Sequence, residues 1–485
     1  MYTLNADQEF VVSRAIDWFL HSSEQVFQYD GPPGSGKSVV LNEIVRRLGL
    51  NIGTEIAPMS FIGAASLIMR TKGLYSAKTA HSWIYDLVEV PKRDANGNIM
   101  YSKKDGRMIT QKMFRPKPSL GANIKLIIID EAYCMPLSMR PIIERYGIKI
   151  LACGDSHQLP PVKDRPAFLV SGKIFHLNQV MRQFDRDDII FIANRAMNRL
   201  PLLNGFYGNS MVIDKADLTD DMLLWADVVI CGTNRTRDIL NNHIRYLRGF
   251  TGLLPNYGER IVCRNNNWDI SAVDFTGNTI NLVNGLIGTV VNQPSIDSFN
   301  PKKNTFQLSF LCDITSSRFD CEASYDYMVA NHETRELVKE NMYITNPLFE
   351  FAYAITCHIA QGSQFGKVLY IEEPLNENIN GCLNLVGATR AVRQLIYVNG
   401  AGRNWRTYND PIYDLNSDQA YQRVQAMKNK QLIERQQRAI KRREAAEEKP
   451  KEKPKKKQDD DESILLRQPK KSHKRYYQKK RPELM

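Results

Sequence analysis

No stretch of the 485 residues is apolar for the roughly 18 positions a membrane span demands, so no transmembrane helix is expected. Eight cysteines are scattered without a single C-x-x-C pair. That argues against a zinc site and a disulfide framework, and for a reducing interior. The opening MYTLNADQEF lacks the basic start and apolar core of a signal peptide. Excess charge is also missing from most of the chain. The formal net charge is +12, yet residues 428–485 alone carry 21 Lys/Arg against 10 Asp/Glu, which accounts for all but one of those charges. The body is nearly neutral, so high pI by itself does not argue for a nucleic-acid-binding core. No internal repeat is evident.

What is present begins with FQYDGPPGSGKSVV. Gly31, Pro32, Pro33, Gly34, Ser35, Gly36, Lys37 and Ser38 fit G-x-x-x-x-G-K-[S/T] at every fixed position. The glycines permit backbone angles that turn successive N–H groups toward one anion. Val26–Tyr29 reads as a buried strand delivering the loop, and Val39–Leu48 as the helix whose N-terminus adds positive potential. Lys37 is expected to reach the β- and γ-phosphates of ATP, and the Ser38 hydroxyl to ligate Mg²⁺. A kinase, a GTPase or a transporter subunit would also carry such a loop.

Short apolar runs at Lys125–Ile129, Ile148–Cys153, Asp227–Cys231, Lys367–Ile371 and Gln394–Val398 read as buried parallel strands with helical patterns between them. The class is therefore α/β, with two cores divided near Phe184. Two interruptions stand out. In residues 91–118, Ile99–Ser102 and Arg107–Gln111 flank a Lys-Lys-Asp105-Gly106 turn, which predicts a β-hairpin. In residues 252–342, GERIVCR, NTINLVNGLIGTVV and NTFQLSFLCDI predict a small antiparallel β insertion. The expected organisation is a first core at 1–90 and 119–183 and a second at 184–251 and 343–416. A charged helix at 417–448 and a disordered basic tail at 449–485 follow.

A second chemical signal is KLIIIDEA. Asp130 and Glu131 follow an apolar strand at the carboxyl end, where α/β sheets bind ligands. Asp130 is expected in the Mg²⁺ shell. Glu131 is expected to orient and deprotonate water, which makes the reaction hydrolysis. A third is ILACGDSHQLPPV, with Gln158 beyond a strand. At this point the chain resembles the superfamily-one helicases, most closely the RecD/phage Dda-like branch, over residues 4 to about 400 in the family's motif order. Asn5 and Gln8 in LNADQ resemble the adenine-reading Q motif. Thr79-Ala-His81-Ser82 resembles T-I-H-S, a segment that touches single-stranded DNA. HLNQVMRQ, with Arg182, resembles the motif that donates an arginine finger. FAYAITCHIAQGSQF resembles Y-A-x-T-x-H-x-x-Q-G-x-E-F, and LVGATRA, with Arg390, resembles A-x-T-R-A. The chain departs at APMSFIGAA (Ala57–Ala65), which lacks the usual Thr-Gly, and at Gln364, where Glu is usual.

The resemblance implies two RecA-like cores with ATP between them. Lys37, Ser38, Asp130, Glu131 and Gln158 would come from the first core, Arg390 from the second and Arg182 from the junction. It further implies a monomer-competent DNA helicase moving 5′→3′ on single-stranded and forked DNA, with residues 91–118 as a duplex-splitting pin and 252–342 as an SH3-like module. An ATP-driven translocase that remodels protein–DNA complexes and a non-catalytic replication factor are the rival readings. Candidate DNA contacts are His81, Trp83, Thr356 and His358, each with an alternative role in packing. The tail is either a solubilising charge run or an arm for DNA, a replisome component or a single-strand-binding protein. The expected location is the cytoplasm of a bacterial or phage-infected cell. KPKKK would suit a nucleus if the host has one.

Overall fold

The structure, a computed structural model, describes residues 3–400 apart from 95–96, 102–105, 180–186, 275–276, 295–298, 301–302, 342–345, 374 and 376. The first core is a six-stranded sheet ordered Lys78–Thr79, Ile56–Ser60, Leu126–Asp130, Lys149–Gly154, Val26–Asp30 and Ile174–His176. All neighbouring strands are parallel. Both faces are covered, which is why the strands read as unbroken apolar runs. Leu126 and Ile128 pack with Val11, Val40 and Ile44 of helices Ala6–His21 and Lys37–Leu48. Ile127 and Ile129, on the opposite face, pack with Ile84, Met135 and Phe168.

The second core is also six-stranded, ordered Ala354–Thr356, Val228–Cys231, Phe365–Ile371, Ala391–Asn399, Ser210–Asp214 and Gly205–Tyr207. Its strands run parallel except the last, which closes as an antiparallel edge. Two parallel sheets in one chain fulfil the α/β expectation. No helix among the described residues is long and apolar enough to cross a membrane.

The β insertion is a five-stranded antiparallel sheet of Arg318–Ser324, Thr305–Cys312, Ile287–Val290, Arg260–Cys263 and Phe349–Phe351, with a side ribbon of Asn267–Val273 and Thr279–Leu282. Its core stacks Phe310 on Phe319 at 5.3 Å and sets Phe349 edge-on at 5.4 Å. Phe349–Phe351 falls outside residues 252–342 and inside the stretch read as second core. The run FEFAYAIT is buried throughout, and its first strand pairs with the insertion while its second, Ala354–Thr356, pairs with the second core. Nothing in the periodicity marks that change of sheet.

A buried charge network joins the insertion to the second core. Arg237 of helix Asn234–Leu247 meets Glu350 at 2.7 Å and Asp238 at 2.7 Å. Arg335 reaches Asp238 at 2.9 Å, Arg264 reaches Glu350 at 3.1 Å, and Tyr327 Oη donates to Glu350 at 2.8 Å. The contact with the first core is made by helix Gly63–Thr71. There, Arg70 pairs with the buried Asp274 at 3.1 Å, and Leu67 enters the insertion's apolar cluster. A Cβ on Gly63 would meet Asn284 O at 2.7 Å, so only glycine permits this approach.

The hairpin differs from expectation in extent. Its paired arms are Tyr85–Pro91 and Thr110–Pro116, in register from Tyr85↔Pro116 to Pro91↔Thr110. Ile99 and Tyr101 form only isolated bridges, to Arg93 and Met108. Asp105 and its neighbours 102–104 lie outside the described residues. The arms were not legible because a ribbon standing off the core shows no consistent inward face: Leu87, Met113 and Phe114 are all exposed. An isolated two-stranded ribbon is marginal in water. This one is anchored at its base, where Phe114 packs on Tyr85 and His81.

Candidate nucleotide site between two cores

Helix Ala6–His21 opens with a capping box. Asn5 Oδ1 accepts from Gln8 N at 2.8 Å, and Gln8 Oε1 accepts from Asn5 N at 3.2 Å. Gln8 then donates through Nε2 to Ser35 O at 3.0 Å. Its amide therefore braces the phosphate loop from behind while the side chain lines the cleft. Gly36 caps helix Lys37–Leu48 at φ +85°, and a Cβ there would collide with the Gln8 amide.

Inside the loop, Lys37 Nζ donates to Gly31 O at 2.7 Å and Pro32 O at 3.1 Å. Ser35 Oγ is fully buried with no hydrogen-bond partner. A buried hydroxyl without a partner inside a glycine loop suits an anion that brings its own acceptors. Ser38 Oγ accepts from Lys72 Nζ at 3.1 Å, so a cation already sits at the hydroxyl expected to bind metal. Asp130 ends its strand in the same cleft, and its Oδ1 accepts from Glu131 N at 2.9 Å. Ser38 and Asp130 are hard oxygen donors, and a nucleotide's phosphates and water would complete the octahedral shell that Mg²⁺ requires.

Glu131 takes a left-handed backbone at φ +52°, unusual for a side chain of its size and held by its surroundings. Burial, and secondly the Asp130 carboxylate, push its carboxyl above the ordinary range; Lys37 and Arg390 pull the other way. Arg390 belongs to the second core and is 5% exposed. Its guanidinium donates to Val386 O at 3.0 Å, Thr389 Oγ1 at 3.1 Å and Ser363 O at 3.3 Å. Burial lowers its pKa, while Glu131 and Asp155 across the seam oppose that. Two cores thus share one electrostatic field within a cleft of about 1000 Å³ lined by Lys37, Ser38, Asp130, Glu131, Gln158 and Arg390.

Gln361 is the residue that sequence reasoning passed over. Buried at 4% exposure, it donates from the second core to Cys134 Sγ at 2.8 Å and to Gln158 Oε1 at 3.3 Å. It stands in the quoted H-x-x-Q-G motif, so a signal was available, but its partner lies 203 positions away. Gln364 lines the same cleft. Arg182 lies outside the described residues, as do residues 401–485 with the charged helix and basic tail.

The candidate DNA contacts are dispersed. Thr79 caps helix Ala80–Ile84 and so presents His81, whose ring stacks on Tyr85 at 5.7 Å and packs against Phe61 and Phe114. Burial pushes that imidazole's pKa down, favouring the neutral ring. Trp83 spends its N–H on Pro58 O at 2.7 Å and carries Lys78 over its face. Thr356 is buried, at the N-cap of helix Cys357–Ala360. His358 is the one exposed residue between Phe349 and Ala360.

These features define a P-loop nucleoside triphosphatase with two RecA-like cores meeting at one nucleotide cleft. Residues 3–199 match the AAA domain family. No curated protein matches the sequence. Among solved structures the chain is similar to the Pif1 helicase from Candida albicans, with 18% identity and TM-score 0.46 over 87% of this chain and 100% of that one. It is also similar to Bacteroides Pif1 bound to single-stranded DNA, with 14% identity and TM-score 0.46 over 87% and 98%. The same figures hold for Bacteroides Pif1 in complex with ADP-AlF3 and single-stranded DNA.

Proposed function

We propose that the chain is an ATP-dependent DNA helicase that moves 5′→3′ along single-stranded DNA and opens the duplex ahead. The observation that carries this reading is the shared cleft: Arg390 of one core and Lys37, Glu131 and Gln158 of the other line a single nucleotide-sized space. Lys37, Gln158 and Arg390 each hold a contact that would be exchanged when ATP binds. Lys37 leaves the Gly31 and Pro32 carbonyls for the phosphates. Gln158 turns its Nε2 donor from Asp155 Oδ2 to the γ-phosphate. Arg390 leaves Val386 O and Ser363 O to neutralise charge developing across the seam, a role worth about 10³–10⁵ in rate. Ser38 and Asp130 would hold Mg²⁺, which when bound neutralises the phosphates. Glu131 then takes the proton from the attacking water. Loss of the γ-phosphate undoes these exchanges, and the cores part. Alternate grip on a DNA strand by the two cores turns closing and opening into stepping.

On this reading the strand runs past His358 and the base of the hairpin near His81, held mainly through backbone charge and stacking. The decisive measurement is ATP-dependent unwinding of duplexes bearing only a 5′ or only a 3′ single-stranded overhang. Unwinding confined to the 5′ substrate is expected. Unwinding of the 3′ substrate alone overturns the polarity. Displacement of a bound protein block without strand separation favours a translocase.

The hairpin supplies the wedge. Its exposed Tyr101 and Met108 form a bridge toward the tip, and its arms are rooted at Tyr85 and Phe114. Deleting residues 99–111 is expected to leave DNA-stimulated ATPase near wild-type and to abolish unwinding of forked duplex. Loss of both in a folded variant would count against the wedge.

A further inference from the structure

The nucleotide cleft holds a second lysine that belongs to none of the motifs. Helix Gly63–Thr71 ends at Lys72, whose N–H closes onto Ile68 O at 3.2 Å. The Lys72 carbonyl accepts from Asn42 Nδ2 at 2.9 Å. Asn42 sits one turn beyond Ser38 on helix Lys37–Leu48, so this bond straps the Lys72 backbone to the phosphate-loop helix. The strap sets the reach of the side chain, which brings Nζ to 3.1 Å from Ser38 Oγ. Lys72 and Asn42 both line the cleft beside Lys37 and Asp130. Among the described residues no carboxylate lies within ion-pair distance of Lys72. An exposed ammonium with no carboxylate to satisfy it is thus aimed at the hydroxyl expected to ligate the metal.

We propose that Lys72 is an internal counter-cation of the nucleotide site. It holds the Ser38 hydroxyl while metal is away, competes with Mg²⁺ for that oxygen, and joins Lys37 against the phosphates once displaced. The inference rests on reading the cleft as a nucleotide site. Its physical basis is that an ammonium and a divalent ion cannot share one oxygen in so small a space, because their repulsion at a few ångströms is only partly screened. A metal-free nucleotide, in contrast, gains from the ammonium as from any nearby cation.

The test is equilibrium binding of a fluorescent ADP to the full chain during a Mg²⁺ titration and again in EDTA. For Lys72→Met the half-saturating Mg²⁺ concentration is expected to fall by about three- to tenfold, and metal-free ADP affinity to weaken by a similar factor. Lys72→Arg, which keeps the charge, is expected to stay near wild-type. In a Ser38→Ala background Lys72→Met no longer shifts the Mg²⁺ titration. A Lys72→Met protein that titrates like wild-type, or a shift that persists without the Ser38 hydroxyl, overturns the proposal while leaving the nucleotide site intact. Wild-type protein that binds no ADP with or without Mg²⁺ overturns both.

Discussion

Glu131→Gln is expected to cut DNA-stimulated ATP turnover by about 10²- to 10⁴-fold, the usual worth of a positioned general base, while ATP binding stays intact. The amide keeps the shape of the side chain and its packing but does not accept the proton of the attacking water. Wild-type turnover also has a predictable acid limb. Burial and the Asp130 carboxylate raise the Glu131 carboxyl above the ordinary range. In the proposed role the working form is the carboxylate, so as pH falls turnover is expected to be lost at a higher pH than an exposed glutamate would give. Lys37 and Arg390 lower the same carboxyl. On the proposed cycle, closure that brings Arg390 nearer would favour the carboxylate form of Glu131. Single-turnover ATP cleavage across pH, beside equilibrium ATP binding, checks both statements. Turnover by Glu131→Gln within a few-fold of wild-type would remove the water-activation role.

Glu350→Ala is expected to destabilise the protein by about 3–5 kcal/mol, the usual effect of removing one partner from a buried ion pair. Glu350 is 3% exposed and accepts from Tyr327 while pairing with Arg237 and Arg264. Its removal leaves Arg237, itself 1% exposed, with Asp238 as its remaining carboxylate, which Arg335 also uses. Burial pushes the Glu350 carboxyl up, but the guanidiniums of Arg264, Arg237 and Arg335 outweigh it and hold the carboxyl well below the usual range. A depressed carboxylate contributes stability that is complete above its unfolded value of about 4.3 and is lost as pH falls through the lower folded value. Denaturant midpoints of wild-type and Glu350→Ala should therefore differ most near neutrality and converge in strong acid. Equal midpoints at pH 7 would show that the network does not hold the insertion to the second core.

The parts of the site that were legible in sequence are those built from neighbours in the chain. A phosphate loop works through consecutive backbone N–H groups, so G-x-x-x-x-G-K-S is both its sequence and its geometry. The same holds for Asp130-Glu131 at a strand end and for LNADQ, whose capping box is closed within four residues. The hairpin arms were not legible because exposed ribbons carry no inward periodicity. Phe349–Phe351 was misplaced because two buried strands of different sheets abut with only two residues between them. Gln8 was read as an adenine contact, and its brace on Ser35 needed the fold to become visible.

The sequence alone determined the candidate chemistry: a loop of phosphate-cradling pattern, two carboxylates at the end of a strand, and two α/β cores. Local backbone geometry and burial patterning carry that information along a few consecutive positions. Only tertiary structure decided which distant groups share the cleft. Gln361 on Gln158, Lys72 on Ser38 and Arg390 in the field of Glu131 are pairings across separate elements. They arise because packing of the two cores and the insertion brings those elements within hydrogen-bond or Coulomb range, a distance that no spacing in the chain encodes.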